Sequence, residues 1–93
     1  IAAITAGSAL GIAAGARIID VRTPAEFEDG AYDGAINIPL AVLPVRMHEL
    51  EPKDRPIVLY CETGARSGYA ARLLKQAGFK DVINAGGLSD MPE

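Results

Sequence analysis

The residues of this chain that could do chemistry are gathered in one run, Cys61-Glu62-Thr63-Gly64-Ala65-Arg66-Ser67. A cysteine attacks as the thiolate, and a free thiol with a pKa near ~8.5 is only a few per cent ionised at neutral pH. The chemistry open to Cys61 is therefore nucleophilic attack, provided that its surroundings lower that pKa. A shift of about two units needs roughly 2.7 kcal/mol. The free NH groups of a helix start stabilise an anion by ~0.3–2 kcal/mol. Gly64 lets the loop curl so that successive NH groups point inward, and Arg66 adds a permanent cation. Glu62 opposes them unless its carboxylate turns to solvent. Cys61 also reads as a small apolar residue that merely ends a core strand, and the run alone leaves both readings open.

The elements that must position this run are legible on either side of it. Ile57-Val58-Leu59-Tyr60 is too short for a helix and is bounded by Pro56 and the Gly64 loop, so it predicts a buried strand. Beyond the loop, Tyr69, Ala70, Leu73, Leu74 and Ala77 recur at helical spacing until Gly78 stops them. Cys61 is thus expected at a strand-to-helix turn, the end of a parallel strand where open sheets place their crevices. Upstream, Ile18 to Val21 reads as a strand. Pro24 to Glu28 reads as a short helix with Thr23 as its cap and Pro24 at its first position. Ile36 to Ile38 reads as a third strand, and a helix is expected over about Val42 to Glu49, its start blurred by Pro44. Pro52 to Pro56 is a turn, and Val82-Ile83 is a last short strand. The alternation predicts an α/β domain: a small, open, mainly parallel sheet of four to five strands with helices on both faces.

Asp20 and Arg22 flank Val21, so the two-residue period puts them on one face. They are expected to pair as scaffold, in a solvated ion pair or as a brace for the reactive loop, and Arg22 is also placed to reach Glu26. His48 reads as a surface residue remote from Cys61, and Glu26, Glu28 and Asp29 as a solvated acidic rim.

Several short segments occur here in a recognisable order: Ile18-Ile19-Asp20-Val21-Arg22 with Glu26-Phe27, Gly34-Ala35-Ile36-Asn37-Ile38-Pro39, the strand into Cys61, the loop to Arg66 and Ser67, Leu74-Lys75-Gln76-Ala77-Gly78-Phe79, and Gly86-Gly87. In that order, from about Ile4 to Met91, the chain strongly resembles a single-domain rhodanese of the thiosulfate-sulfurtransferase type. The resemblance implies that Cys61 takes the outer sulfur of thiosulfate or a related small donor, releases sulfite and carries the sulfur as a persulfide. A cyanide or thiol acceptor, including a thioredoxin-like or carrier protein, would then remove it. It implies that the NH groups of Glu62, Thr63, Gly64, Ala65, Arg66 and Ser67 hold the sulfur anion and that Arg66 attracts the donor. It treats Asp20 and Arg22 as structural support and requires no cofactor and no metal.

Rhodanese-like phosphatases and arsenate reductases resemble the same fold but use a longer Cys-x5-Arg loop to encircle a tetrahedral oxyanion. Here Arg66 follows Cys61 after four residues, which favours a single sulfur atom. The chain departs from the family pattern at Ala31-Tyr32-Asp33, where a His-Ile-Pro stretch is common. It departs again at Leu88, where an aromatic residue is common after the paired glycines. A short or absent closing helix follows from the second departure.

With 93 residues, 49% of them hydrophobic and 23% charged, residues 1–93 are expected to form one globular domain. A net charge of −3 with nine scattered basic residues offers no surface for nucleic acid. One cysteine and one histidine build neither an internal disulfide nor a four-ligand zinc site. A thiol that must stay reduced suits the cytoplasm. The uncharged stretch Ile1 to Ala16 keeps a periplasmic origin open, since it ends in Ala14-Gly15-Ala16 like a signal-peptide cleavage site. It lacks a basic leader, and it is too short and too rich in glycine to cross a membrane. The reading favoured is structural: a lead-in strand near Ala3 to Thr5 and a short helix over about Gly7 to Ala14, capped by Thr5 or Ser8.

Two functions of other classes stand beside sulfur transfer. One is a non-catalytic binding or regulatory module on the same fold. The other is a redox sensor whose exposed thiol is oxidised to a sulfenic acid.

Overall fold

A computed structural model of the chain describes residues 15–92. The lead-in strand and first helix expected before Gly15 lie outside the described residues.

Four strands form one parallel sheet: β1 (Arg17–Asp20), β2 (Ile36–Asn37), β3 (Ile57–Cys61) and β4 (Val82–Gly87), in the order β2-β1-β3-β4. Ile19 lies opposite Ile36 on one side and Leu59 on the other, and Val58 lies opposite Ile83. Placing β3 in the middle explains its uninterrupted apolar run, because a central parallel strand is covered on both faces; all five of its residues are buried. The pairing of β3 with β4 is irregular between Leu59 and Cys61, where Cys61 comes opposite Gly87.

Side chains alternate across the sheet into two cores. On one face Ile19, Ile57, Leu59 and Cys61 pack with Leu43, Ala70, Leu74 and Phe79. These partners come from α2 (Leu43–Arg46), from α3 (Ala65–Gln76) and from the turn that follows α3. Ile19, Leu59 and Leu74 are wholly enclosed there, and each such side chain contributes about 1.5–3 kcal/mol of burial. On the other face Val58, Tyr60, Ala85 and Met91 pack with Ile18, Tyr32, Ala35 and Leu88. The 3-10 turn Leu88–Asp90, the short closing helix expected, adds Leu88 to that side.

Short connections show the same local logic. The helix α1 (Pro24–Glu28) is fixed by a capping box, in which Thr23 accepts from the Glu26 NH while the Glu26 carboxylate accepts from the Thr23 NH. The helix expected over Val42 to Glu49 is instead a 3-10 turn (Leu40–Val42), the four-residue α2, and a second 3-10 turn (Met47–Leu50). Pro44 lacks an NH and is tolerated only in the first turn of a helix, so α2 begins beside it. β4 runs to Gly87, four residues beyond the Ile83 expected as its end. Tyr32, one of the departures from the family pattern, donates its backbone NH to the Tyr60 hydroxyl at 2.9 Å. Its ring meets Tyr60 edge-on, and that seats the 31–35 loop on the second core.

Candidate functional site

The site begins where β3 ends. Cys61 is the strand's last residue and only 1% exposed. The chain then turns through Gly64, at φ +100°, into α3, a left-handed conformation that favours glycine. A serine or aspartate side chain usually accepts from the free NH groups of a helix start, and Gly64 at the N-cap position has none. Sγ of Cys61 takes that place. The Gly64 NH donates to it at 3.0 Å, the Ser67 NH at 3.4 Å and the Ser67 hydroxyl contacts it at 3.4 Å. The cysteine is thus the acceptor that caps α3.

These contacts decide its ionisation. Burial pushes the Cys61 thiol up, but the Ser67 hydroxyl and the NH groups of Ser67, Gly64 and Thr63 outweigh it, so the thiol lies below its ordinary value. A merely structural cysteine at a strand end carries the burial penalty without these donors.

Paired glycines make room for the loop. A Cβ on Gly87 would stand 2.2 Å from the Glu62 carbonyl oxygen, and one on Gly64 would stand 3.2 Å from the Gly86 Cα. The loop backbone therefore lies directly against β4. Asn84 ties the two together: its Nδ2 donates to the Gly64 carbonyl at 3.1 Å, and its Oδ1 accepts from the Ser67 hydroxyl at 2.6 Å and the Gly86 NH at 3.0 Å. Asn84 is a residue that sequence reasoning missed. Its only signal is its place two residues before Gly86-Gly87, which reads as turn chemistry rather than as a brace.

The charged residues sit differently from expectation in three respects. Asp20 and Arg22 do pair, with Arg22 Nη2 2.7 Å from Asp20 Oδ2, but they are 0% and 4% exposed rather than solvated. Arg22 does not turn to Glu26; it donates to Asp20, to the Gly30 carbonyl at 2.6 Å and to Glu62 Oε1 at 3.2 Å. Its bond to Asp20 holds the guanidinium well above its usual value despite burial. Glu62 is 59% exposed and meets Arg22, so the charge that opposed the thiolate is both turned outward and partnered. Arg66 is not a bare cation: Nη1 and Nη2 bind the Glu26 carboxylate at 2.8 and 3.0 Å. The Arg66 bond and the Thr23 cap hold Glu26 down to about 2.

His48 is exposed, as expected of a surface residue. An apolar groove of about 300 Å³ beside Arg66 is lined by Val21, Thr23, Pro39, Leu40 and Ala41. Among the described residues no cluster of three or more His, Cys, Asp or Glu side chains is placed to hold a metal ion, and no helix is long and apolar enough to cross a membrane.

A thiol cradled by helix-start NH groups at the end of a parallel strand can attack a small electrophile and keep the product anion in the same cradle. Known proteins resemble this chain. A sulfurtransferase of Allochromatium vinosum is 44% identical over 70 residues, 75% of this chain and 64% of its own length. The thiosulfate sulfurtransferase PspE of Escherichia coli is 40% identical over 74 residues, 78% of this chain and 71% of its own. Among solved structures, a rhodanese with anions from E. coli superposes with a TM-score of 0.77 at 39% identity, covering 83% of this chain and 94% of that one. The rhodanese-like domain model matches residues 6–91, and with these likenesses to sulfurtransferases the chain belongs to the rhodanese-like domain family.

Proposed function

We propose that this chain moves sulfane sulfur from thiosulfate or a related small donor to a thiophilic acceptor, through a persulfide on Cys61. The observation that carries the reading is the Gly64 NH at 3.0 Å and the Ser67 NH at 3.4 Å from one low-lying thiol.

The Cys61 thiolate attacks the outer sulfur of thiosulfate. A bond forms from Sγ to that sulfur, the sulfur–sulfur bond of the donor breaks, and sulfite leaves with its electron pair. The persulfide's outer sulfur then carries the negative charge. The NH groups of Ala65 and Arg66, in the first turn of α3, have no partner inside the helix and are available to it, as are those of Glu62, Thr63, Gly64 and Ser67. Cyanide or a thiolate attacks the outer sulfur in turn, takes it, and returns Cys61 as the thiolate. Asp20 and Arg22 act as support: with Gly30 and Glu62 they fix the far side of the loop. The acceptor in the cell is a thiol, free or borne by a thioredoxin-like or carrier protein.

Intact mass after incubation with excess thiosulfate tests the reading. One added sulfur atom on Cys61 is expected, lost on addition of cyanide with release of thiocyanate, and absent in Cys61→Ser. An unchanged mass would make the fold a binding module instead.

A further inference from the structure

Ser67 carries one hydroxyl proton and has three acceptors for it. Its Oγ lies 2.6 Å from Oδ1 of Asn84, 3.4 Å from Sγ of Cys61 and 3.4 Å from the Gly86 carbonyl oxygen. Ser67 is fully buried, so these three are its choices. The Asn84 contact is at the short end of the O–H···O range, whereas the sulfur of a neutral thiol is a weak acceptor. While Cys61 is protonated, the proton points to Asn84.

The carboxamide is held the right way round for this. Oδ1 also accepts the Gly86 NH at 3.0 Å, and Nδ2 donates to the Gly64 carbonyl at 3.1 Å. A flipped amide would set two donors against each other at Gly86 and two acceptors at Gly64. When Sγ is anionic the order reverses, because a charged acceptor forms a bond about twice as strong as a neutral one.

We propose that Asn84 is a positioning residue that sets the direction of the Ser67 hydroxyl, holding its proton while Cys61 is a thiol and yielding it when Sγ becomes anionic. The proton stays on Oγ throughout and only rotates; the proton lost by Cys61 goes to solvent. Asn84 therefore competes with the thiolate for a single hydrogen bond. The inference takes Cys61 as the reacting thiol proposed above: once Sγ bears the second sulfur it is neutral again, and the hydroxyl returns to Asn84.

The test follows the ionisation of Cys61 rather than turnover, by ultraviolet thiolate absorbance and by the pH dependence of iodoacetamide alkylation. As the chain has one cysteine, the signal has one source. Asn84→Leu fills the space but accepts nothing, and it is compared in the native background and in Ser67→Ala. The charged groups around the thiol are Arg66 of α3 with Glu26 of α1, and Arg22 after β1 with Asp20 and Glu62 of the loop. They are common to every variant, and loss of the Gly64 brace is common to both backgrounds, so both cancel in the difference. With Ser67 present, relative to Ser67→Ala, the midpoint is expected to fall by about half to one pH unit, three- to tenfold more thiolate below it. Asn84→Asp, a stronger acceptor, is expected to give a difference of the opposite sign and serves if the leucine variant does not fold. Equal shifts in the two backgrounds would reduce Asn84 to a brace and overturn the proposal, while leaving sulfur loading of Cys61 as a separate result.

Discussion

Gly87→Ala is a one-methyl perturbation aimed at the seat of the reactive loop. Gly87 has φ −92° and ψ 169°, a conformation open to any residue, so alanine brings no backbone strain there. Its effect is steric alone. The new Cβ would lie 2.2 Å from the Glu62 carbonyl oxygen, and a tolerable carbon–oxygen contact is about 3.3 Å. The loop must therefore retreat by about 1 Å. Glu62 directly follows Cys61, and the Gly64 NH reaches Sγ at 3.0 Å, so a retreat of that size separates the donors from the sulfur they serve. Overpacking of this kind costs about 1–3 kcal/mol, which in a domain of this size lowers Tm by about 5–20 °C. Misplacing a reacting group by ~1 Å costs about 100-fold in turnover.

Thiocyanate formation from thiosulfate and cyanide gives the turnover, calorimetry gives Tm, and thiolate absorbance reports whether the Cys61 midpoint has risen. Gly34→Ala is the control: its Cβ meets nothing within 4 Å, but Gly34 sits at φ +85°, so it costs stability by backbone strain without touching the loop. The expected pattern is loss of stability in both variants and loss of turnover in Gly87→Ala alone. If Gly87→Ala kept its turnover and its thiol midpoint, the loop would not be seated on β4 as the contact distances require.

Glu26→Gln removes the partner of Arg66 and is expected to tighten apparent thiosulfate affinity several-fold, most at low salt where attraction is least screened; steady-state kinetics at two salt concentrations read it, and an affinity that does not change would show that Arg66 takes no part in drawing the donor. In the native protein the Glu26 carboxyl is depressed from 4.5 to about 2, so the stability this pair contributes is complete above pH 4.5 and drains away as pH falls toward 2; carbon-detected titration of Glu26 checks both the midpoint and the sign. Asp20→Asn leaves a buried guanidinium short of its main partner and is expected to cost about 3 kcal/mol in urea denaturation, whereas a loss below about 1 kcal/mol would mean that Glu62 and the Gly30 carbonyl satisfy Arg22 unaided.

What could be read in advance depended on how local each cause was. The strand into Cys61 and α3 after it were legible because hydrophobic periodicity and Gly78 act within a dozen residues, and α1 was legible because Thr23 and Pro24 mark its cap and its first position side by side, while the return bond from Glu26 shows only in the fold. β4 was cut short at Ile83 because Asn84-Ala85-Gly86-Gly87 has turn composition. In the structure they continue the strand: Gly87 pairs with Cys61 of β3, Asn84 turns its side chain onto the loop, and Gly87 is glycine because the Glu62 carbonyl oxygen leaves no room there for a Cβ. The Arg66–Glu26 pair joins residues 40 apart, and no periodicity or motif spacing carries such a contact. The same holds for Asn84, which lies 17 residues from Ser67.

The long-range contacts change where the site's affinity for an anion comes from. In the sequence Arg66 stands as a cation aimed at the donor and Glu62 as the charge that opposes it. In the fold Arg66 is bound by Glu26, and Arg22 by Asp20 and Glu62, so three carboxylates face two guanidiniums around the loop. Formal charge then favours no dianion. What remains on the sulfur is a set of backbone NH groups that a mobile counter-charge cannot neutralise, because their direction is set by the Gly64 turn, by Asn84 and by the close approach of Gly87 to Glu62. Such fixed dipoles act over the short range at which an outer sulfur is seated, and need no reorganisation when its charge develops. Salt should therefore weaken the approach of a donor far less than it would at a site built on free arginines, and Glu26→Gln, by freeing Arg66, is the variant that should bring strong salt dependence back.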